Sequence, residues 1–219
     1  MRYCRWEYTA ISDEVSIIQP DGCCDIIFVS DPDVGPELRL TQWDDRPRHA
    51  QLKAGTTLIG YRLSPGLVLD TDSCERLASD PSLLDEIIEG MTDNNETVNV
   101  IDALTEAKAT VAQVARQTGV SVRTLQRRFH QLSLPSPEYW RLLGRARRTT
   151  RVLLYPIPLA EIATAYGYSD QAHMTREFVR WFGHTPARLR RDGGLLAQIG
   201  QPGLGNWQTD NSPNIDTLL

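Results

Sequence analysis

A pattern of apolar and small residues occurs twice in the second half of this sequence, and the repeat restricts the possible fold more than any other feature. Five residues of "VAQVARQTGVS" match "LAEIATAYGYS" 48 positions later: Val111, Val114, Ala115, Gly119 and Ser121 correspond to Leu159, Ile162, Ala163, Gly167 and Ser169. Apolar residues three and four apart form one face of a helix, and a small Ala lets a second helix approach closely. Gly accepts a positive φ in the turn, and Ser caps the next helix. This spacing predicts two helix-turn-helix motifs.

The repeat continues into the helix that follows each Ser. There the offset is 49 residues, and Leu125, Arg127 and Phe129 correspond to Met174, Arg176 and Phe178. The second copy has Gly183 where this helix should end, whereas the first copy has Leu134 at the aligned position. A non-Gly residue held at positive φ costs about 1 kcal/mol or more, so we expect the first copy to turn differently.

Charged residues divide the chain into two unlike halves. Residues 1–106 contain 8 Lys and Arg against 21 Asp and Glu, whereas residues 107–219 contain 15 against 7. Fourteen of the 15 basic residues in the second half are Arg, whose planar guanidinium fits phosphates and guanine edges. A solvated basic face would have the same composition. Because the basic half also carries both motifs, we interpret it as a DNA-binding region.

The acidic half has the character of a small β-rich domain, which we place at residues 1–90. Two of its segments, Asp25–Ser30 and Thr56–Leu63, are rich in branched and aromatic residues and predict strands. A helical stripe follows, formed by Leu83, Leu84, Ile87 and Ile88. We expect this stripe either to mediate self-association or to pack on the domain's own sheet.

Three further segments complete the predicted organisation. Residues 91–96 are polar and predict a linker, and residues 97–192 form the predicted helical domain. Residues 193–219 are rich in Gly, Pro and Asn and short of charge, which predicts a loosely structured C-terminal tail. Docking of this tail through Leu195, Leu196 and Trp207 is the alternative.

The sequence carries no signal for a membrane, metal or catalytic site. The start has no apolar signal-peptide core and no segment is long enough to span a membrane, so we expect a soluble, cytoplasmic protein without a membrane partner. A metal-dependent β-barrel enzyme would need clustered His residues, but His49 is the only His of the acidic half. No catalytic residues stand out, so we expect neither an enzyme nor a metal or other cofactor.

Four cysteines lie in the acidic half: Cys4, Cys23, Cys24 and Cys74. None forms a C-x-x-C pair or the spacing of a zinc site. We expect reduced, structural thiols, with a redox switch at the adjacent Cys23 and Cys24 as the alternative.

Three segments in order resemble the DNA-binding domain of the AraC/XylS family. They are "VAQVARQTGVSVRTLQRRF", "SPEYWRLLGRARRTTRVLL" and "PLAEIATAYGYSDQAHMTREFVRWFGHTPARLR". Upstream, "QPDGCCDIIF" and "RPRHAQLKAGTTLIGYRLSPG" resemble a short β-rich sensor domain of one branch of that family. The resemblance implies an α+β multidomain protein, in which a small cupin-like N-terminal domain precedes an all-α domain with two helix-turn-helix motifs.

The resemblance also implies which residues read DNA. The second helix of each motif lies in the major groove, and a long helix around Tyr139–Leu154 holds the two about one DNA turn apart. On the first recognition helix we expect Arg123, Gln126 and Arg127 to contact bases, with phosphate contact as the alternative. On the second we expect Gln171, Thr175 and Arg176, with His173 beside them. The basic residues of the connecting helix are expected to form mainly a solvated face, with phosphate contact for one or two of them; they are Arg141, Arg145, Arg147, Arg148 and Arg151.

These expectations describe a sequence-specific transcriptional regulator, an activator that responds to a small-molecule effector. Its partners would be double-stranded promoter DNA, RNA polymerase, the effector and a second copy in a homodimer. Arg46, Arg48 and Arg62 are conspicuous in the acidic domain and are the candidate effector-binding residues. The alternative is a ligand-binding module for an anionic signal, such as a cyclic dinucleotide, that controls DNA binding by dimerisation.

Overall fold

The computed structural model describes residues 2–90 and 95–207, and it begins with six strands. The strands are β1 Tyr3–Thr9, β2 Glu14–Ile18, β3 Asp25–Asp31, β4 Gly35–Leu40, β5 Arg48–Leu52 and β6 Thr57–Leu63. Four of them form an antiparallel sheet in the order β1-β6-β3-β4, and β2 pairs with β5 in a second, two-stranded sheet. The two strands predicted from the sequence are confirmed as β3 and β6.

A glycine in the centre of the larger sheet allows an aromatic ring to lie across it. Trp6 of β1 is paired with Gly60 of β6, and a Cβ at Gly60 would lie 1.9 Å from the Trp6 ring. Only a residue without a side chain fits there. The Trp6 indole N–H then donates to Asp25 of β3 at 3.0 Å, so one ring crosses three neighbouring strands.

Two helices cover one part of this sheet. They are α1 Thr71–Ser79 and α2 Leu84–Gly90, joined by a 3-10 turn at Pro81–Leu83. Leu84, Ile87 and Ile88 are at most 5% exposed and pack with Ile26 and Leu63 of the sheet. Of the two alternatives for the helical stripe, the structure therefore supports packing on the domain's own sheet, because Leu84, Ile87 and Ile88 are already buried in the core of their own chain.

The second half is helical, as predicted. Its helices are α3 Asn95–Thr105, α4 Val111–Gln117, α5 Val122–Gln131, α6 Pro137–Thr150, α7 Leu159–Ala165, α8 Gln171–Phe182 and α9 Pro186–Arg191. One continuous core holds them together, with Trp140, Leu143, Phe178 and Trp181 fully buried. The structure thus has the predicted α+β organisation, with strands first and the two helix-turn-helix motifs second. None of its described helices is long and apolar enough to cross a membrane.

The two recognition helices end differently, but not at the residue that the alignment indicated. Helix α8 ends at Gly183 in the left-handed conformation, with φ 68°. After α5 the left-handed residue is Ser133, with φ 55°, and the amide of Leu134 then donates to the carbonyl of Phe129 at 2.9 Å. The first copy therefore turns one residue earlier, which leaves the Leu134 side chain free to be buried.

The segment after α9 is ordered where the structure describes it. It forms α10, Gly193–Ile199, followed by turns up to residue 207. Leu196, Ile199 and Leu204 are buried in the helical core, so the expected loose tail is wrong for residues 193–207. Three backbone carbonyls of this segment accept hydrogen bonds from the buried side chain of Arg147. Residues 208–219 and most of the predicted linker, residues 91–94, lie outside the described residues.

Candidate nucleic-acid interface and ligand cavity

The first recognition helix, α5, presents a polar face to the outside. Ser121 caps it by accepting the amide N–H of Thr124 at 3.1 Å. Leu125 and Phe129 are 2% exposed and anchor the inner face. Because residues three and four apart share a helix face, Arg123, Gln126 and Arg127 lie together on the other side, and all three are exposed.

Another arginine of α5 is already engaged within the protein. Arg128 donates to the Glu96 carboxylate of α3 at 2.7 Å. Its neighbour Arg127 carries the same charge and lies on the same helix, but it belongs to the exposed face that was expected to contact bases. The two residues therefore form a matched pair for experiments.

The second recognition helix, α8, presents a smaller polar face. Asp170 caps it and accepts the amide N–H of His173 at 2.6 Å. Gln171 and Arg176 are exposed, whereas Thr175 is half-buried and its hydroxyl donates to the carbonyl of Gln171 at 2.9 Å. Two of the four predicted side chains of this helix are thus exposed, and the other two, His173 and Thr175, are half-buried.

The side chain of His173 contacts the turn of its own motif. Its Nδ1 accepts the amide N–H of Ser169 at 3.2 Å and lies 3.0 Å from the Ser169 hydroxyl. The ring also packs edge-on against Tyr168, with ring centroids 5.5 Å apart. These contacts hold the turn that precedes α8, so a positioning role fits His173 better than base contact.

The connecting helix α6 carries buried arginines rather than a uniformly solvated face. Arg145 is 7% exposed and donates to the carbonyl of Gly167 at 2.8 Å and to Glu177 at 2.6 Å. Its guanidinium also lies 4.3 Å from the centre of the Tyr168 ring. Arg145 therefore joins α6 to the turn and the recognition helix of the second motif. Neither this role nor the partner Glu177, an acid within a basic helix, was predicted from the sequence.

Arg147 is the second buried cation of α6, and it faces the C-terminal segment. It is 5% exposed and donates to the carbonyls of Ile199, Gln201 and Leu204 at 2.9, 2.6 and 3.0 Å. A fourth hydrogen bond, of 2.9 Å, reaches the side chain of Asn206. Burial lowers the pKa of this guanidinium. The expectation of a solvated face is wrong for Arg145 and Arg147, because both are covered by later parts of the chain.

A cavity of about 770 Å³ lies between the two sheets. Alternate residues of a strand point to the same side of the sheet. The cavity is accordingly lined by every second residue of two strands: Cys4, Trp6 and Tyr8 of β1, and Asp25, Ile27 and Val29 of β3. Strands β2, β5 and β6 contribute further walls. The C-terminal segment completes the lining with Leu195, Gln198, Gln201 and Pro202.

The three predicted effector-binding arginines are not brought together. Arg48 and Arg62 line the cavity, but Arg46 does not, and it is an exposed residue paired with Asp45. Arg62 is held by two carboxylates, with Asp21 at 3.1 Å and Asp25 at 3.2 Å. Burial opposes the charge of Arg62, but the two carboxylates outweigh it and raise the pKa of the guanidinium.

The comparisons with known proteins concern mainly the helical half. Residues 114–192 match a family of helix-turn-helix domains. The HTH-type transcriptional regulator VirS of Mycobacterium tuberculosis is 39% identical over 85 residues, which make up 37% of this chain and 24% of VirS. The chain therefore matches about a quarter of the length of this relative.

Two solved structures are similar to larger shares of the chain. A transcriptional regulator with an AraC-type DNA-binding domain from Chromobacterium violaceum is 29% identical, covers 50% of this chain and 93% of its own, and has a TM-score of 0.39. ToxT from Vibrio cholerae is 9% identical, covers 87% of this chain and 98% of its own, and has a TM-score of 0.45.

Proposed function

We propose that the chain is a sequence-specific DNA-binding regulator of the AraC/XylS family. Its second half resembles the DNA-binding domain of that family, and residues 114–192 match a family of helix-turn-helix domains. In this proposal the chain is cytoplasmic, binds promoter DNA as a homodimer and activates transcription through RNA polymerase. A small-molecule effector that binds between the two sheets controls it. The proposed function involves no catalysis.

One observation carries the proposal: α5 and α8 each direct apolar residues into a shared core and keep a polar face outside. The core side chains Leu125, Phe129, Met174 and Phe178 are at most 2% exposed. The opposite faces contain Arg123, Gln126 and Arg127 in one helix and Gln171 and Arg176 in the other. Arg and Gln are the side chains that form paired hydrogen bonds with guanine and adenine edges in the major groove.

The charge of the helical region supports the same proposal. Residues 107–192 contain 15 Lys and Arg against 5 Asp and Glu. Phosphate contacts supply much of the affinity of DNA-binding proteins, and they require such an excess of positive charge. The first recognition helix has two exposed arginines in its predicted face and the second has one, so we propose that α5 supplies more of the specificity.

The experiment selects bound sequences from fragmented genomic DNA with the full-length protein and then measures affinity for single-base variants of the selected site. We expect Arg127→Ala to lose about 1–3 kcal/mol of binding free energy and to relax the preference at one base pair. Arg128→Ala removes the same charge from the same helix, but its arginine pairs with Glu96. We expect this control to keep the base preferences.

Salt dependence separates base contact from phosphate contact. A lost phosphate contact weakens all sequences alike and lowers the salt slope by about one unit. If Arg127→Ala shows that pattern and keeps the base preferences, Arg127 holds a phosphate and the assignment of α5 is wrong. If the wild-type protein selects no sequence over random DNA, the proposed function itself is wrong.

A further inference from the structure

The cavity between the sheets has a largely apolar lining. Fourteen of its 25 lining residues are apolar, counting the aliphatic and aromatic residues together with Pro202 and Cys4. Tyr8, Leu58 and Val29 are neighbours across β1, β6 and β3, so their side chains share the sheet face that lines the cavity. Apolar surface gathered around one concave site gains free energy when a ligand removes it from water.

The charged residues of the cavity are balanced and already paired. Three acids, Glu14, Asp25 and Asp44, line it together with three bases, Arg39, Arg48 and Arg62. Arg48 pairs with Asp44 at 3.0 Å and Arg62 pairs with Asp25 at 3.2 Å. Arg39 pairs with Glu37, and Glu14 accepts the hydroxyl hydrogen of Tyr8. A charged ligand would have to break one of these pairs or stay without a counter-ion, and the cost in free energy is largest at Arg62 and Asp25, which are 17% and 11% exposed.

Uncharged polar groups supply the remaining recognition chemistry. Gln42, Gln198 and Gln201 line the cavity with amides, which both donate and accept hydrogen bonds. Two of these amides belong to the C-terminal segment, which follows the helix-turn-helix region in sequence.

We propose that this cavity binds an uncharged, mainly apolar small molecule that carries hydrogen-bonding groups. The proposal rests on the effector-controlled function above and specifies the chemical class of the effector. It differs from the anionic signal considered from the sequence, because the arginines that suggested an anion are neutralised by neighbouring carboxylates or, in the case of Arg46, lie outside the cavity.

The test compares two fluorescent probes with the same aromatic rings, the uncharged N-phenylnaphthylamine and the anionic anilinonaphthalene sulfonate. Both are titrated into the full-length protein without DNA. We expect the uncharged probe to bind at least about tenfold more tightly, because the sulfonate must be buried without a free counter-ion. Equal or tighter binding of the sulfonate would overturn the proposal, as would a protein that binds neither probe.

Variants on one strand show where the probe binds. Ala50 of β5 lines the cavity, whereas its neighbour Gln51 is exposed and does not. We expect Ala50→Trp to fill the cavity and weaken binding of the uncharged probe by at least about tenfold, and Gln51→Trp to leave it unchanged. If Ala50→Trp does not fold, Ser16→Leu on the paired residue of β2 fills the same space.

The outcomes are distinct from those of the DNA-binding experiment. If both cavity-filling variants fold, as judged by thermal melting, and still bind the uncharged probe, it binds elsewhere and the proposal is wrong. Because the titration contains no DNA, that result would leave the proposed DNA recognition standing. Conversely, if the protein binds the uncharged probe but selects no DNA sequence, the proposed ligand class would stand and the proposed DNA-binding function would be wrong.

Discussion

Individual residues of the helical core follow from the sequence, but the partners of its buried arginines do not. The repeat identified Leu125, Phe129, Met174 and Phe178 as inner residues because their spacing is a local property of a helix. The acceptors of Arg145 lie 22 and 32 residues away, in Gly167 and Glu177. A backbone carbonyl can belong to any residue, so it leaves no trace in the sequence.

The adjacent residues Cys23, which is buried, and Cys24, which is half-buried, provide a prediction at this scale. Burial, together with the carboxylates of Asp25 and Asp21, raises the pKa of Cys24 to about 12, and burial raises the pKa of Cys23 well above its usual value. The thiolate is the reactive form and is scarce below the pKa. We therefore expect iodoacetamide at about pH 8 to modify both residues much more slowly in the folded protein than in guanidinium.

Mass spectrometry of the digested protein measures this modification residue by residue. Reaction of the unfolded chain is the control, since all four cysteines should then react alike. Rapid modification of Cys24 in the folded protein would instead favour the alternative of a redox switch.

At the scale of elements, the sequence predicted both motifs, the strands β3 and β6 and a different turn after the first recognition helix, but it did not indicate which residue makes that turn. Counting from Phe129 and Phe178 assigned Leu134 to the position of Gly183. In the structure the left-handed residue after α5 is Ser133. The reason is that a buried Leu134 contributes to the core only if the chain turns before it, so tertiary packing determines where the helix ends.

The energetic cost of the left-handed residue at each helix end can be tested by removing a glycine at one end and introducing one at the other. We expect Gly183→Ala to lower the free energy of unfolding by about 1 kcal/mol, because L-residues are disfavoured at positive φ. An added Cβ would meet only Pro47 Cγ at 3.5 Å, an ordinary contact, so the cost arises in the backbone. Ser133→Gly should stabilise the protein by roughly 0.5–1 kcal/mol for the same reason.

Denaturant titration of the full-length protein measures both changes. Gly193→Ala is the matched control, because a Cβ there meets nothing within 4 Å and Gly193 is not among the residues with positive φ. This control should lose no stability. An equal loss in Gly183→Ala and Gly193→Ala would show that the left-handed conformation is not the cause.

At the scale of the whole molecule, the C-terminal segment connects the strands with the helices, and composition alone suggested the opposite. Its many Gly, Pro and Asn residues indicated loose structure, yet they suit tight turns around a buried guanidinium. The amide of Leu204 donates to the carbonyl of Asp21 at 2.7 Å, and Arg62 of β6 reaches the carbonyl of Pro202 at 3.3 Å. Direct contact adds to this, since the rings of Trp43 and Trp140 meet edge-on with centroids 6.1 Å apart.

Arg147 should hold this arrangement together. We expect Arg147→Met to lower the free energy of unfolding by at least about 2 kcal/mol, because buried hydrogen bonds to a charged group are lost and several carbonyls remain unpaired. Arg151→Met is the control: Arg151 is exposed and makes one hydrogen bond to the same segment, to the carbonyl of Gly205 at 2.6 Å. That change should cost no more than about 1 kcal/mol.

Thermal melting and limited proteolysis report on the two variants. Arg147→Met should also be cut between residues 193 and 207 at protease concentrations that leave the Arg151→Met protein intact. Equal melting temperatures and equal cleavage would show that the segment is held by its apolar side chains alone.

The hydrogen bonds of Arg147 also set an order in time during synthesis of the chain. Its four acceptors follow it by 52 to 59 residues, so a ribosome translates all of α7 to α10 before the guanidinium can find them. Until then water must solvate the charge of Arg147, and the side of α6 that carries it cannot be buried. A premature stop codon shortly before residue 199 would therefore give a chain that contains both helix-turn-helix motifs but none of the four acceptors of Arg147 in the connecting helix.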